Sequence, residues 1–271
     1  MNLFYRDTGS GIPVLIMHGL FGCADNWNLM AKKISSENYR VITVDLRNHG
    51  LSPHHEEWDY HCMAEDVKEL CEKLNLKKVI FIGHSMGGKV AMYLSAICSH
   101  LIKAMVVVDI APRYYPPHHH EILEALLSVN LPFLTNRNEA ADILSNRIHE
   151  AGVVQFLLKN LYRKDDNGQA IFAWRMNLAT IVKNISVVGA PSPFPSEKEN
   201  QIYPVLFIRG EVSDYIVDKD RIDILSRYPA AEIITIMGAG HWVQAEKPEE
   251  FFTCLLEWLR RKDLVLKEQA S

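Results

Sequence analysis

The stretch FIGHSMGGKVAM (Phe81–Met92) joins an apolar run to a helical pattern through GHSMG, in which Ser85 lies between Gly83 and Gly87. The pattern Gly-x-Ser-x-Gly is typical of a serine at a sharp strand-to-helix turn, where the backbone is strained and the neighbours must lack bulk. On the helix side, apolar residues recur at the spacing of one buried face. We predict that Ser85 is an exposed nucleophile, rather than only a small residue in a packing turn.

The rest of the chain repeats this strand-to-helix alternation. Short apolar runs have the composition of strands buried on both faces, and longer segments of helical period separate them. This order requires crossover connections and predicts a doubly wound, mostly parallel α/β sheet. The predicted strands are Pro13–Gly19, Tyr39–Asp45, Lys78–His84, Lys103–Asp109, Pro204–Gly210 and Glu232–Gly238; the predicted helices are Asn26–Ile34, Met63–Leu74, Met86–Ser99, Asp220–Tyr228 and Pro248–Arg261.

The alternation is interrupted once, between residue 112 and about residue 195. This segment carries helical patterns but no strand run, and a structureless loop of that length is implausible in a compact domain. It begins directly after a predicted strand, at the sheet edge where open α/β sheets bind ligands. We therefore predict a core formed by residues 1–111 and 196–271, and a helical cap over the site formed by residues 112–195.

Composition and charge exclude several classes of function. The 271 residues are 48% hydrophobic and 23% charged, and a net charge of -4 offers no basic surface for nucleic acid or anionic lipid. No apolar run reaches the about 18 residues of a membrane span, and the first residues lack the basic leader and apolar run of a signal peptide. The five scattered cysteines favour thiols in a reducing cytoplasm over disulfides or a zinc site. We expect a cytoplasmic protein.

A serine hydroxyl needs a base within hydrogen-bond reach to act as a nucleophile. His241 is the best placed of the twelve histidines, because it lies in a glycine-flanked loop between the last predicted strand and the last predicted helix. His84 adjoins Ser85, but consecutive side chains diverge at a tight turn, so we favour His241. We interpret His18 and His49, in turns at strand ends, as groups that hold loops together by hydrogen bonds.

Two other groups of histidines, His54–His55 and His118–His120, raise the question of metal binding. Neither group has a carboxylate or cysteine at ligand spacing, so we interpret both as solvated loops. The sequence thus predicts neither a metal site nor a cofactor.

Negative charge that develops on a substrate oxygen requires preorganised donors. The backbone N–H of Met86, at the start of a helix, is one candidate, and the stretch HGLFG should supply the second. We favour the N–H of Leu20, with that of Phe21 as the alternative. The side chains of Leu20, Phe21, Met86 and Trp242 are then available to line an apolar acyl pocket.

Five blocks of the chain together resemble the α/β-hydrolase superfamily, and within it the small YbfF-like esterases. They are YRDTGSGIPVLIMHGLFG, VDLRNHGLSP, FIGHSMGGKVAM, VVVDIAP and GAGHWVQAEKP. The blocks cover most of the predicted sheet, whereas the cap matches less distinctly. The resemblance implies the α/β-hydrolase fold and a carboxylesterase or acyl thioesterase that hydrolyses small or short-chain acyl esters without a cofactor. It supports Ser85 and His241 as nucleophile and base.

The acid of the triad is where the chain departs from the superfamily's common pattern. Many members carry the acid three residues after the glycine that closes the penultimate strand; counted from Gly210, that position holds Ser213, and Asp214 follows it. Similar esterases place the acid after an earlier strand, which corresponds here to Asp109. We favour Asp109 with an added hydrogen bond from Ser213, and keep Asp214 as the alternative.

Two other functions share these features. The same triad can cleave a carbon–carbon bond or make peracids, and the same fold can serve as a non-catalytic ligand-binding module. The retention of serine, histidine and two candidate acids favours a serine hydrolase. We expect its substrate to be a small-molecule acyl ester or thioester, and the nearly balanced charge of the cap does not choose between the two.

Overall fold

The computed structural model describes residues 1–166, 168–195 and 203–265, and nine strands lie in these ranges. They are β1 (Tyr5–Thr8), β2 (Ile12–Met17), β3 (Tyr39–Val44), β4 (Val79–His84), β5 (Ile102–Val108), β6 (Leu161–Asp166), β7 (Gln169–Trp174), β8 (Val205–Gly210) and β9 (Glu232–Ile236). Seven strands form one sheet in the order β1-β3-β2-β4-β5-β8-β9. Its pairs are parallel except that β1 runs antiparallel to β3. The predicted mostly parallel sheet is confirmed.

Helices connect the parallel strands, as the sequence predicts. The described ranges contain α1 (Asn28–Ser35), α2 (Tyr60–Lys73), α3 (Met86–Ile97), α4 (His120–Ser128), α5 (Arg137–Ser145), α6 (Ala151–Leu158), α7 (Leu178–Lys183), α8 (Asp220–Arg227), α9 (Val243–Glu246) and α10 (Pro248–Arg261). The predicted strands and helices begin and end within about three residues of the observed ones. The short helix α9 was not predicted.

The last helix shows why its bounds are readable from sequence. Helix α10 begins at Pro248. Proline lacks a backbone N–H, but at the first helical position that N–H would have no acceptor within the helix. Glu249 and Glu250 lie in the first turn, and Arg260 and Arg261 lie in the last turn. The charges at both ends therefore interact favourably with the helix dipole.

Strand side chains alternate between two hydrophobic cores, one on each face of the sheet. Phe81 and Phe207 belong to the core that includes residues of α2, α3 and α8. Ile82 and Ile208, one residue further along each strand, belong to the core that includes residues of α1 and α10. All four side chains are fully buried, which makes the sheet a rigid base for the loops at its edge.

The sequence analysis missed three strands, because none of them is an apolar run buried on both faces. Strand β1 is polar and pairs only with β3 at the sheet edge. Strands β6 and β7 form an antiparallel hairpin within the segment predicted to be a helical cap. That segment therefore contains a hairpin beside α4, α5, α6 and α7. The limits 112 and 195 stay a prediction, and residue 196 lies outside the described residues.

The segment between β5 and β8 is called the inserted segment below. A buried lysine holds both of its ends against the helix that follows Ser85. Lys89 in α3 is fully buried, and its Nζ donates to the carbonyl oxygens of Pro112 at 3.1 Å, Arg113 at 2.7 Å and Ala190 at 2.9 Å. Three acceptors satisfy the three donors of an ammonium group. The segment is therefore fixed to α3 where it leaves the core and where it returns.

The position of the site follows from the strand order. The chain passes from β2 to β3 on one side and later to β4 on the other, so the connections diverge between β2 and β4. Open α/β sheets bind ligands outside the carboxyl ends of the strands at such a switch point. The stretch HGLFG follows β2 and the turn at Ser85 follows β4, so both lie at this crevice.

Candidate active site

Ser85 connects β4 to α3 in a backbone conformation that side chains rarely adopt, with φ 52° and ψ -115°. Its N–H donates to the carbonyl oxygen of Val108, 2.9 Å away, which holds the turn against β5. The Ser85 side chain makes no capping hydrogen bond to α3, and the residue lines a cavity of about 530 Å³. The helix therefore does not use the hydroxyl as a cap, and Ser85 borders the cavity.

The glycines around Ser85 allow this turn because their neighbours approach too closely for a side chain. A Cβ on Gly83 would lie 2.2 Å from the carbonyl oxygen of Gly87, and one on Gly87 would lie 2.4 Å from that of Met17. The strand, the helix and the adjoining strand thus pack directly on one another at the serine.

Asp109 follows β5 and is fully buried, with a positive φ of 51°. Its Oδ2 lies 2.8 Å from His241 Nδ1 and also accepts a hydrogen bond from the Ser213 hydroxyl. Its Oδ1 accepts the N–H of Gly210 at 2.9 Å. Burial raises the pKa of the Asp109 carboxyl, and the hydrogen bonds from Ser213 and Gly210 oppose that rise. Both carboxylate oxygens are therefore fixed, and one of them holds the imidazole.

Asp214, the alternative acid, lies on the surface. Asp214 is exposed, and its main-chain carbonyl oxygen accepts a 3.3 Å hydrogen bond from Arg113 Nη2. The carboxylate that contacts His241 belongs to Asp109, while the usual position of the acid is occupied by Ser213.

Aromatic rings enclose His241 on more than one side. The Tyr215 ring stacks on it with centroids 3.8 Å apart and planes 18° apart, and the His84 ring lies at 4.7 Å. His84 Nε2 donates to the carbonyl oxygen of His241 at 2.9 Å. Burial, with a smaller contribution from His118, lowers the pKa of His241 below its ordinary value. Because Nδ1 contacts Asp109, Nε2 is the nitrogen left to accept a proton.

His84 is thus a structural neighbour of His241. Its ring is buried, and burial lowers its pKa to about 3, so it stays neutral at pH 7. With its Nε2 used by the His241 backbone, it holds the loop that carries His241 in place.

His18 and His49 hold loops, as the sequence analysis interprets them. His18 Nδ1 donates to the Gly19 carbonyl oxygen at 2.8 Å, and its Nε2 accepts the N–H of Leu46 at 3.0 Å. His49 Nδ1 donates to the Arg47 carbonyl oxygen at 3.0 Å, and its Nε2 accepts a backbone N–H from HGLFG. Burial lowers both pKa values, to about 4 and about 3, so both rings are neutral hydrogen-bonding groups.

The N–H accepted by His49 is that of Phe21, 3.3 Å away, which distinguishes the two candidate donors in HGLFG. Leu20, the preceding residue, is left as the candidate that can point its N–H to the site. Met86 is the first residue of α3, where backbone N–H groups have no acceptor within the helix. Leu20, Phe21 and Ser85 line the same cavity.

The cavity is mainly apolar. His241 and Trp242 line it on the side of the sheet edge, and the rings of Phe156 and Trp242 lie 5.8 Å apart. The cavity also contains one lysine and one glutamate among its described residues, Lys159 and Glu246. The inserted segment contributes further apolar side chains to the lining, among them Ile122, Val153 and Leu157. Met86 instead lines a small adjoining cleft beside Ser85.

A sequence model described as the alpha/beta hydrolase fold matches residues 12–248. The chain belongs to the α/β-hydrolase family. Esterase YbfF of Escherichia coli is 36% identical to this α/β-hydrolase over 248 residues, which cover 91% of this chain and 92% of that protein. The sn-1-specific diacylglycerol lipase ABHD11 of Mus musculus is 35% identical over 261 residues, which cover 93% and 83%. The resemblance to YbfF-like esterases is confirmed.

A solved structure supports the same assignment. An esterase from a marine microorganism is 39% identical to this α/β-hydrolase and superposes with a TM-score of 0.90, over 95% of this chain and 99% of the other. Among the described residues, no helix is long and apolar enough to cross a membrane. Within those same ranges, no three histidine, cysteine or acidic side chains are grouped as metal ligands would be.

Sequence reasoning missed Tyr215, although it touches the His241 ring more closely than any other aromatic side chain of the described chain. Its hydroxyl contacts His118 Nε2, and its main-chain carbonyl oxygen accepts from the Tyr115 hydroxyl. The only signal in the sequence is its place two residues after Ser213. A tyrosine at that spacing has no chemical motif, so only the folded chain reveals it.

The two candidate acids can be separated by substitution. We expect Asp109→Asn to lower kcat by about 10³- to 10⁴-fold, because the amide cannot hold His241 in the required tautomer. Asp214→Asn should stay within about twofold of the wild type, and Ser213→Ala should fall between the two because it removes one of several hydrogen bonds. Steady-state hydrolysis of an aryl ester gives these values. A larger loss in Asp214→Asn than in Asp109→Asn would contradict the observed contact.

Proposed function

We propose that this α/β-hydrolase cleaves small or short-chain acyl esters through an acyl-serine intermediate on Ser85. The predicted class, a serine hydrolase that acts on esters, is confirmed by its relatives, which include esterase YbfF and the marine esterase. The observation that carries the assignment of roles is the 2.8 Å contact between the buried Asp109 and His241, which lines the same cavity as Ser85. A neutral imidazole so held is a general base.

Acylation begins when the Ser85 hydroxyl gives its proton to His241 Nε2 and its Oγ attacks the ester carbonyl carbon. The carbonyl oxygen becomes negatively charged, and the N–H groups of Leu20 and Met86 stabilise it. The Asp109 carboxylate stabilises the imidazolium that forms. His241 then gives its proton to the alcohol oxygen, the ester C–O bond breaks, and the acyl group stays on Ser85.

Deacylation repeats these steps with water in place of the serine. His241 Nε2 takes a proton from water, and the hydroxide formed attacks the acyl carbon. The same two N–H groups stabilise the second tetrahedral intermediate. Its collapse returns the proton to Ser85 Oγ and releases the carboxylic acid.

The cavity favours a neutral ester over an acyl-CoA thioester. Its volume of about 530 Å³ and its apolar lining suit an acyl chain with a small alcohol. The phosphates of coenzyme A are bound best by clustered arginine or lysine side chains, whereas the described lining offers a single lysine, Lys159, together with one glutamate, Glu246. We therefore place small neutral carboxylic esters first among the substrates.

A comparison of matched substrates tests this proposal. We expect kcat/KM for p-nitrophenyl esters of short acids to exceed that for acyl-CoA thioesters of equal chain length by about tenfold or more, because a single lysine cannot hold several phosphates. Ser85→Ala should lose at least about 10³-fold with either substrate, and a fluorophosphonate should label the wild type but not this variant. A preference for acyl-CoA would overturn the substrate class, and full activity in Ser85→Ala would overturn the mechanism.

The pH dependence follows from the environment of His241. Burial lowers its pKa below the ordinary value, and the imidazole is a base only when neutral. Protonation therefore removes activity as pH falls, and the acid limb of kcat/KM should lie below about pH 6.5. A pH series with a soluble aryl ester measures this limb. As the control, the activity recovered after return to pH 7.5 shows that the enzyme is not denatured at each pH. A midpoint at or above the ordinary histidine value would contradict the buried environment.

A further inference from the structure

The turn that carries the Leu20 N–H is strained. The Gly22 N–H donates to the Gly19 carbonyl oxygen at 2.9 Å, and Phe21, the third residue of this turn, has a positive φ of 60°. Leu20 is not among the residues with positive φ, so the turn is of type II, in which the third position favours glycine. A phenylalanine in this conformation is strained and persists only where its surroundings fix it.

Two side chains fix both peptide groups of Phe21. His49 Nε2 accepts its N–H at 3.3 Å, and Asn160 Nδ2 donates to its carbonyl oxygen at 2.7 Å. The peptide plane on each side of Phe21 is therefore held. The Leu20 N–H belongs to the preceding peptide, whose Gly19 carbonyl oxygen accepts the Gly22 N–H at 2.9 Å and the His18 Nδ1–H at 2.8 Å, so the same turn sets its direction. His49 belongs to the loop after β3, whereas Asn160 belongs to the inserted segment.

Asn160 is itself held in place by the inserted segment. It lies between α6 and β6, and only 2% of its surface is exposed. The main-chain carbonyl oxygen of Asn160 accepts the N–H of Arg175, just after β7, at 2.8 Å. The β6–β7 hairpin therefore fixes the backbone that presents the Asn160 amide to the turn.

We propose that Asn160 is a positioning residue for the oxyanion hole, so that the inserted segment completes the catalytic site as well as covering it. Asn160 is not among the described residues that line the cavity, so it acts through Phe21 and Leu20 rather than on the substrate. This inference rests on the acyl-serine mechanism proposed above. It gives the unpredicted hairpin a role in catalysis.

The test uses Asn160→Leu, which keeps the size of the side chain and removes the donor. The leucine leaves the Phe21 carbonyl oxygen without its donor, but it also removes the Asn160 Oδ1, which is buried without a hydrogen-bond partner, so the variant should fold. We expect kcat to fall by about 10- to 100-fold with KM changed by less than about threefold, since oxyanion donors act mainly in the transition state. The affinity for a trifluoromethyl ketone, whose adduct with serine carries an oxyanion, should fall by the same factor.

The matched control is Asn184→Leu in the same segment. Asn184 Nδ2 donates to the Thr180 carbonyl oxygen of its own helix at 3.0 Å, and Asn184 is not among the described residues that line the cavity, so kcat should stay within about twofold of the wild type. A wild-type kcat in folded Asn160→Leu, or an equal loss in the control, would refute the role of Asn160. If Asn160→Leu does not fold, Asn160→Ala gives the same readings with the same meaning.

The proposed mechanism is checked separately with the wild-type enzyme. If the trifluoromethyl ketone does not inhibit the wild type, or if Ser85→Ala keeps full activity, the acyl-serine mechanism is wrong, whatever the Asn160 variants show. If both of these results support the mechanism and Asn160→Leu retains wild-type kcat, only the inference about Asn160 is wrong.

Discussion

The contact between the buried Asp109 carboxylate and His241 Nδ1 is the interaction on which the rest of the site depends. The two residues are 132 positions apart, and the parallel sheet brings them together because the loops after β5 and β9 leave the same edge. A buried carboxylate is costly unless its oxygens are hydrogen-bonded, and here Gly210, Ser213 and His241 satisfy them. The contact therefore stabilises the carboxylate and leaves His241 Nε2 available as a base.

Backbone strain at three positions surrounds this contact. Phe21, Ser85 and Asp109 all have φ between 51° and 60°, and each is held by hydrogen bonds from another part of the fold. The strand neighbours hold Ser85 and Asp109 through Val108 and Ile208, whereas Phe21 depends on His49 and Asn160. Because such conformations persist only where the surroundings determine them, the sheet and the inserted segment share the task of shaping the site.

The sequence predicts the sheet, the turn at Ser85 and the helix from Pro248, since buried runs, glycines and caps are local patterns. The sequence does not reveal contacts between residues that are distant along the chain. The β6–β7 hairpin has no doubly buried run, and neither the stacking of Tyr215 on His241 nor the bond from Asn160 to Phe21 follows from any spacing. The choice between Asp109 and Asp214 needed the resemblance to esterases, because Asp109 ends one predicted strand and Asp214 lies shortly after another.

The tautomer of His241 shows whether Asp109 orients the catalytic base. If Asp109 accepts the proton of Nδ1, the neutral ring must leave Nε2 without a proton. Nitrogen NMR of ¹⁵N-histidine-labelled enzyme near pH 7.5, assigned with His241→Gln, measures this for the free enzyme. We predict a protonated Nδ1 and an unprotonated Nε2 for His241, and loss of that pattern in Asp109→Asn but not in Asp214→Asn. A protonated Nε2 with a bare Nδ1 in the wild type would contradict this prediction.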